Sequence, residues 1–326
     1  RDDLTYTGNV FCYDYFGIPN SKTVQFSVDT PEIRICRNLT VSNRQNYILM
    51  NNIGSSKTCL DIQANNITLD GKGYQIVGNR TTFSYGILVS SGHSTIVTTV
   101  LNVSIGNFYD GFSFNSNNVD AHININNVNS IDNEEDGVRI NSGDGIHTLF
   151  AINSSQNKRR GIFIGTGQSV SKANLTNIVT NDNLEDGINI VLRRSFFQIS
   201  NLSMFNIISQ NNHRYGVNVG GDVTGPYALE NSLLENVLSK NNINLGLNIF
   251  FCHNCSTIDS DISSLGLTDS SGDNMFLNVS YNTESVDSNS SLTRIWYYKA
   301  YANDTTGKNV SNANITAYNA SNTYQF

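Results

Sequence analysis

A glycine followed by apolar residues in alternation recurs seven times, and no other feature restricts the fold as much. The segments are YGILV at Gly86, DGFSF at Gly111, DGVRI at Gly137, RGIFI at Gly161, DGINI at Gly187, YGVNV at Gly216 and LGLNI at Gly246. Successive glycines stand 25, 26, 24, 26, 29 and 30 residues apart. The residues one and three after each glycine are apolar, which is the period of a strand with one buried face. Six units also carry an Asn four residues before the glycine: Asn107, Asn133, Asn157, Asn183, Asn212 and Asn242. Seven before it stand Ser104, Ser130, Ser154, Thr180, Ser209 and Ser239, and nine before it Val128, Ile152, Ile178, Ile207 and Val237. Each unit reads as strand, polar turn, strand and a more variable return.

A unit of ~25 residues cannot bury its own apolar face, but a stack of such units can. Equivalent strands of successive coils then lie parallel, ~4.8 Å apart, with inward side chains piled into aliphatic columns. The expected fold is all-β, a parallel β-helix. A leucine-rich repeat needs a Leu-rich consensus that is missing here, and a propeller blade needs ~40 residues. The recurring Asn is expected to form a ladder, each amide donating to one neighbouring coil and accepting from the other. Asn also tolerates the left-handed backbone of a tight turn, and the repeat glycine tolerates it better.

Composition narrows the class. Asn supplies 50 residues and charged residues only 14%. Asn, Ser, Thr and Gly in such numbers favour turns over helix interiors, while the recurring aliphatics argue against disorder. A net charge of −7 with a pI near 5.2 gives no electrostatic footprint for nucleic acid. The short run KRRG, Lys158 to Gly161, reads as a solvated turn. No apolar run reaches the ~18 residues of a membrane span. No signal peptide stands at Arg1, so any export signal is expected to have been removed. N-x-[ST] sequons begin at Asn38, Asn66, Asn79, Asn102, Asn153, Asn174, Asn201, Asn254, Asn278, Asn289, Asn303, Asn309, Asn314 and Asn319. Roughly nine would arise by chance in such a composition. Together with low Lys content and paired-looking cysteines they point to a glycosylated extracellular protein.

The two ends differ from the middle. Residues 1–60, rich in aromatics (FCYDYFGI, QNYILM), lack the repeat and read as an N-terminal cap; 61–285 form the β-helix. The stretch ICRNLTVSNRQNYILMNNIGSSKTCLDIQANNITLDGKGYQIVG, Ile35 to Gly78, resembles the opening of right-handed β-helix repeat proteins of archaeal cell surfaces. There a Cys, an apolar strand, a second Cys and an I-x-L-D-x-x-G-x-x-I-x-G coil follow in that order. The resemblance extends to about residue 282. It implies a disulfide between Cys36 and Cys59, worth ~3 kcal/mol by loop entropy. The tail, 286–326, resembles the first strands of an immunoglobulin-like surface module. Such a sandwich needs ~100 residues, so strands from elsewhere, a neighbouring subunit among them, would have to complete it.

Candidate chemistry is sparse. Cys252 and Cys255, in CHNC, read as a disulfide ahead of a zinc pair, because no second pair accompanies them. Five cysteines leave Cys12 over, either free or bridging to another subunit. Asp110, Asp136 and Asp186 precede the repeat glycine and align on one edge, with Arg160 in the same series and Glu134, Glu135 and Glu185 alongside. Glycosidase chemistry needs two carboxyls ~5–9.5 Å apart, but the NTD, DD and GHG signatures of pectin-cleaving β-helices are absent. His93, in SGHS, has no acidic pair beside it, and no lyase pattern of Asp with Arg is legible. An Asp before Gly is ordinary turn chemistry. Calcium on this acidic edge is conceivable, although the G-G-x-G-x-D nonapeptide is missing.

The expectation is a structural cell-surface glycoprotein, a self-assembling subunit of an archaeal surface layer, sheath or filament. No catalytic residues, metal ligands, cofactor or enzymatic activity are expected. Its expected partners are further copies, through its ends or C-terminal module, and N-linked glycans. The alternative is a carbohydrate-active β-helix enzyme using Asp110, Asp136 or Asp186, or a glycan-binding adhesin without turnover.

Overall fold

The computed structural model of the protein describes residues 4–13, 19–28, 31–40, 45–90, 95–116, 120–142, 145–166, 172–192, 199–221, 229–269, 271–297, 305–308 and 310. Leu4–Tyr13 and Pro19–Val28 form an antiparallel hairpin with its own two-stranded sheet. Every other strand pairing is parallel, and the chain is a right-handed parallel β-helix.

Each coil contributes to three faces. The first is opened by the repeat glycine: Tyr85–Val89, Asp110–Ser116, Val138–Ser142, Ile162–Thr166, Ile188–Leu192, Val217–Gly221 and Leu247–Phe250. Its alternation places Ile87, Phe112, Val138, Ile162, Ile188, Val217 and Leu247 in one inward column, all fully buried. The other two faces share long strands, Thr95–Gly106, Asp120–Ile131, Gly145–Asn153, Lys172–Val179, Leu202–Ile208 and Leu233–Ser239. Each bends at a left-handed residue: Asn102, Asn127, Ala151, Asn177, Asn206 or Asn236. Asn suits this backbone because its short polar side chain bonds locally. These amides also stack, Asn127 onto Asn102 (2.9 Å), Asn206 onto Asn177 and Asn236 onto Asn206, with a break at Ala151. This ladder lies ten residues before the glycine in most coils, one position beyond the aligned column of Val and Ile.

The turn before the first face is a closed hydrogen-bonded unit. Asn133 Nδ2 donates to Asn157 Oδ1 (2.9 Å), Asn157 to Asn183 (3.1 Å), Asn183 to Asn212 (3.0 Å) and Asn212 to Asn242 (3.0 Å). The same oxygens also accept the backbone N–H of the preceding Asn. Asn107 stands outside this ladder. Gly106 pairs with Ile131, so Asn107 falls opposite Asp132 and Phe108 opposite Asn133. The turn before Gly111 is one residue shorter than the next, and the buried Phe108 takes the ladder position, its N–H donating to Asn133. Ser104 is displaced from the Ser column by the same offset.

The glycine is needed for a different reason from the expected one. Its backbone is not left-handed; that conformation falls on Asn107, Asp132, Gln156, Asp182, Asn211 and Asn241. A Cβ at Gly137, Gly187 or Gly216 would instead come within 2.0 Å of the Ser154, Ser209 or Ser239 hydroxyl. Within each turn, Ser130, Ser154, Ser209 and Ser239 donate to the carbonyl of the glycine seven residues on, at 2.6–2.7 Å.

The pairing of strands continues beyond both expected boundaries of the helix. Residues 32–62 already pair into its sheets, and Leu292–Ile295 pairs in parallel with Asn274–Leu277. Most of the tail expected to form an immunoglobulin-like module lies outside the described residues.

One inward column is mixed: Thr98, Ile123, His147, Ala173 and Leu202. Burial, with the neighbouring His122, lowers the His147 pKa from 6.5 to about 4. The unfolded chain therefore binds one more proton than the folded chain between about pH 4 and 6.5, and stability rises with pH across that window. Its contribution is complete above pH ~6.5 and lost toward pH ~4, about 3 kcal/mol in all. The His147→Leu variant is expected to lose this acid-side slope in urea melts taken from pH 4 to 7. An unchanged slope would show that His147 is not its source.

Candidate active site

The residues before the repeat glycine, expected as solvated turn carboxylates, are buried. Asp110 is 1% exposed, Asp136 and Asp186 are fully covered, and Arg160 is 4% exposed. Stacking of coils brings them side by side, and the column two residues after the glycine adds Arg139, which sequence reading passed over. Its signal was present: Leu88, Ser113, Arg139, Phe163, Asn189, Asn218 and Asn248 occupy that outward column, and Arg139 is its one charge.

Asp136 is locked. Arg160 grips it with Nε and Nη2 at 2.8 and 2.9 Å, and Arg139 Nε adds a contact at 2.8 Å. A forked guanidinium matches both carboxylate oxygens and fixes their plane. The Phe163 ring lies 3.7 Å from the Arg160 guanidinium carbon and holds it from the other side. Asp110 is less well served. It accepts the Asp136 N–H at 3.1 Å and shares Arg139 at 3.3 Å. Burial, with the charge of Asp136 adding to it, raises the Asp110 carboxyl to about 7. Burial also raises Asp186, against the opposing help of Asn189, Arg214 and the Tyr215 N–H.

The outer rim carries paired charges of alternating sign. Arg159 bridges Glu135 (2.8 Å) and Glu185 (3.2 Å), Lys158 meets Glu134 at 2.7 Å, and Arg80 meets Asp132 and Glu134. Tyr85 and Tyr109 stand half-buried beside Asp110. Burial raises both phenols, helped by Asp110 at Tyr85 and by Glu135 at Tyr109. On the adjoining face Val77, Ser104, Gly106, Ile131 and Asp132 line a groove of about 180 Å³.

The other candidate residues lie elsewhere. Cys36 is bonded to Cys59 (Cα–Cα 4.5 Å) and Cys252 to Cys255. Cys12 stands on the hairpin opposite Asn20. Among the described residues no group of three or more His, Cys, Asp or Glu is placed to hold a metal ion. No helix among them is long and apolar enough to cross a membrane. Asn38, Asn79, Asn201, Asn254, Asn278 and Asn289 are exposed, while Asn66, Asn102, Asn153 and Asn174 are half-buried. The Asn102, Asn254 and Asn278 amides already donate to Asp70, Asn231 and Asp259. Asn303, Asn309, Asn314 and Asn319 lie outside the described residues.

No protein-family model matches the chain, and no curated protein matches it by sequence. Solved structures do. The Azotobacter vinelandii mannuronan C-5 epimerase AlgE4 A-module aligns over 78% of this chain and 79% of its own, with a TM-score of 0.53 and 14% identity. The likeness is one of fold, the right-handed parallel β-helix. The AlgE6 A-module of the same organism aligns over 80% of this chain and 86% of its own (TM-score 0.49, 13% identity). The Dettilon tailspike protein gp208 aligns over 82% of this chain and 60% of its own (TM-score 0.44, 8% identity). The expectation of a chain without enzymatic activity is corrected by the first of these. A protein named as an epimerase shares this architecture, so missing pectin-type signatures do not exclude catalysis on it.

Proposed function

We propose that this protein is an extracellular, carbohydrate-active β-helix enzyme that acts on an acidic polysaccharide at the edge built around Asp110. The observation that carries this reading is the division of labour between two adjacent carboxylates. Asp136 has both oxygens engaged by guanidinium groups, whereas Asp110 titrates near neutrality. A pair of environments that push two carboxyls apart is the usual mark of an acid or base assignment. With Asp136 unavailable, a two-carboxylate glycosidase mechanism is disfavoured.

Proton abstraction beside a sugar carboxylate fits better. On this edge Arg80, Arg139, Lys158, Arg159, Arg160 and Arg214 are interleaved with seven carboxylates, so an anionic substrate is met by single cations and not by a basic surface. Arg139, partly exposed and shared by three carboxylates, is the cation that a uronate carboxylate competes for. Asp110 takes the proton from the carbon next to that carboxylate; the C–H pair delocalises into it, and Arg139 stabilises the charge. Tyr109, which keeps its phenolic proton, is the donor placed to return one. Return to the opposite face of the sugar carbon gives an epimer; departure of the linked oxygen with that proton gives an unsaturated uronate. The two disulfides support an oxidising, extracellular setting, and the exposed Asn38, Asn79, Asn201 and Asn289 are its accessible glycan acceptors.

The test is incubation with polymannuronate, polygalacturonate and a neutral glucan, followed by proton NMR of the products. Turnover confined to one of the acidic polymers is expected. Binding to an acidic polymer without turnover would leave an adhesin in place of the enzyme. Equal action on the neutral glucan, or no interaction with any polymer, would sink the reading.

A further inference from the structure

Phe83 has a conformation that its own packing does not explain. Its backbone is left-handed (φ 58°), a region where a bulky residue is an outlier. Of the 24 non-glycine residues with positive φ among those described, all but six are Asn or Asp. The other phenylalanine among them, Phe251, packs against the hydrophobic core. Phe83 instead is 71% exposed. Strained backbone that is not compensated by burial is a pointer to function.

The turn is held rigidly. Ser84 is buried, its N–H and hydroxyl donate to the Thr81 carbonyl (3.1 and 2.5 Å), and its own carbonyl accepts the N–H of Tyr109 (2.9 Å) and Asp110 (3.4 Å). Phe83, Tyr109 and Asp110 are thereby fixed as one unit. The Phe83 and Tyr109 rings lie 5.4 Å apart between centroids, tilted by 42°, and Tyr85 meets Tyr109 edge-on at 6.5 Å. Behind this turn Arg80 is anchored by Asn107, Asp132 and Glu134.

The geometry points to a binding platform: Phe83 and Tyr109 seat the apolar face of one pyranose ring of a polysaccharide chain beside Asp110. The occupant follows from the size and border of the surface. Its apolar part is the pair of rings of Phe83 and Tyr109 with Tyr85 edge-on to the latter, and the charges of Glu135 and Arg159 stand beside Tyr109. A pyranose ring has the matching form, C–H groups on its faces and hydroxyls round its edge. A protein or lipid partner would need a broader apolar area. The ring class and its position rest on the proposed reading of Asp110, but the platform makes predictions of its own.

The experiment compares Phe83→Gly and Phe83→Tyr in an Asp110→Asn background, so that turnover does not interfere with binding. Isothermal titration uses a mannuronate hexamer, a galacturonate hexamer and a neutral glucan hexamer. Phe83→Gly is expected to weaken binding about tenfold and Phe83→Tyr to preserve it. Phe83→Gly should also raise the urea midpoint, because glycine relieves the left-handed strain. Unchanged affinity in Phe83→Gly overturns the platform while leaving the Asp110 reading standing. A lower urea midpoint overturns it too, by showing that the ring serves packing on Tyr109. Binding of the neutral hexamer alone, lost in Phe83→Gly, would keep the platform and remove the acidic substrate. If none of the three hexamers binds, both fall.

Discussion

The Asp110→Asn variant is expected to lose turnover of an acidic polysaccharide by at least ~100-fold and to become more stable at alkaline pH. The activity loss follows from removing the carboxyl that burial and the charge of Asp136 raise to about 7. The stability gain follows from linkage. Folding raises the Asp110 pKa from 3.8 to about 7, so its contribution is fully present below pH ~4 and is lost as pH rises through 7. Each pKa unit corresponds to ~1.4 kcal/mol. Allowing for the lost contact to Arg139, a net gain on the order of 2 kcal/mol at pH 8 is expected. The amide keeps the shape of the neutral acid and accepts the Asp136 N–H as before. Urea melts from pH 4 to 8 supply the measurement. Between pH 4 and 6.5 the slopes from Asp110 and His147 oppose each other, so Asp110→Asn should also expose the acid-side loss due to His147. A variant that keeps parental activity, or that is less stable at pH 8, would contradict the assignment.

Cutting the inner asparagine ladder should have the largest effect on folding. Asn183 Oδ1 accepts from both the N–H and the amide of Asn157, and its own amide donates to Asn212 and to the Ser154 carbonyl. All of these groups are fully buried. In Asn183→Ala the buried Asn157 N–H loses its acceptor, the Asn157 amide keeps only the Ser130 carbonyl, and the oxygens of Asn212 and Ser154 each lose a donor. Each orphaned buried group costs ~1–3 kcal/mol, which gives ~3–5 kcal/mol for the variant. Each coil contacts only its neighbours, so hydrogen exchange should accelerate first in the coils of Asn157, Asn183 and Asn212. Asn107→Gly, outside the ladder and at a left-handed position that glycine tolerates, is the control and should cost under ~1 kcal/mol. Equal losses in the two variants would show that the ladder is not a principal source of stability.

The contrast between these two asparagines shows how far the sequence could be read. Both stand four residues before a repeat glycine, and alignment on the glycine makes them equivalent. The pairing of Gly106 with Ile131 separates them, because register is set by strand contacts and the one-residue difference falls inside the turn. The glycine itself was legible as essential, but its reason, a serine hydroxyl pressed against its Cα, required the folded turn. The second asparagine ladder was within reach, one position beyond the aligned column.

What the sequence by itself determined was the β-helix: the period of about 25 residues, the strand opened by the repeat glycine and the two inward columns that follow that glycine. Those properties are local, since alternation and turn chemistry repeat within every coil. What only the tertiary structure decided was the meaning of the residues left facing outward. DGFSF, DGVRI and RGIFI each hold one or two charges that look like solvated turns in isolation. Stacked, they enclose Asp136 between Arg139 and Arg160 and leave Asp110 protonatable near neutrality. For Asp110, the cation Arg139 and the neighbouring carboxylate Asp136 that fix its chemistry come from the next coil, about 25 residues away along the chain. Asp136 takes Arg160 from the next coil and Arg139 from its own.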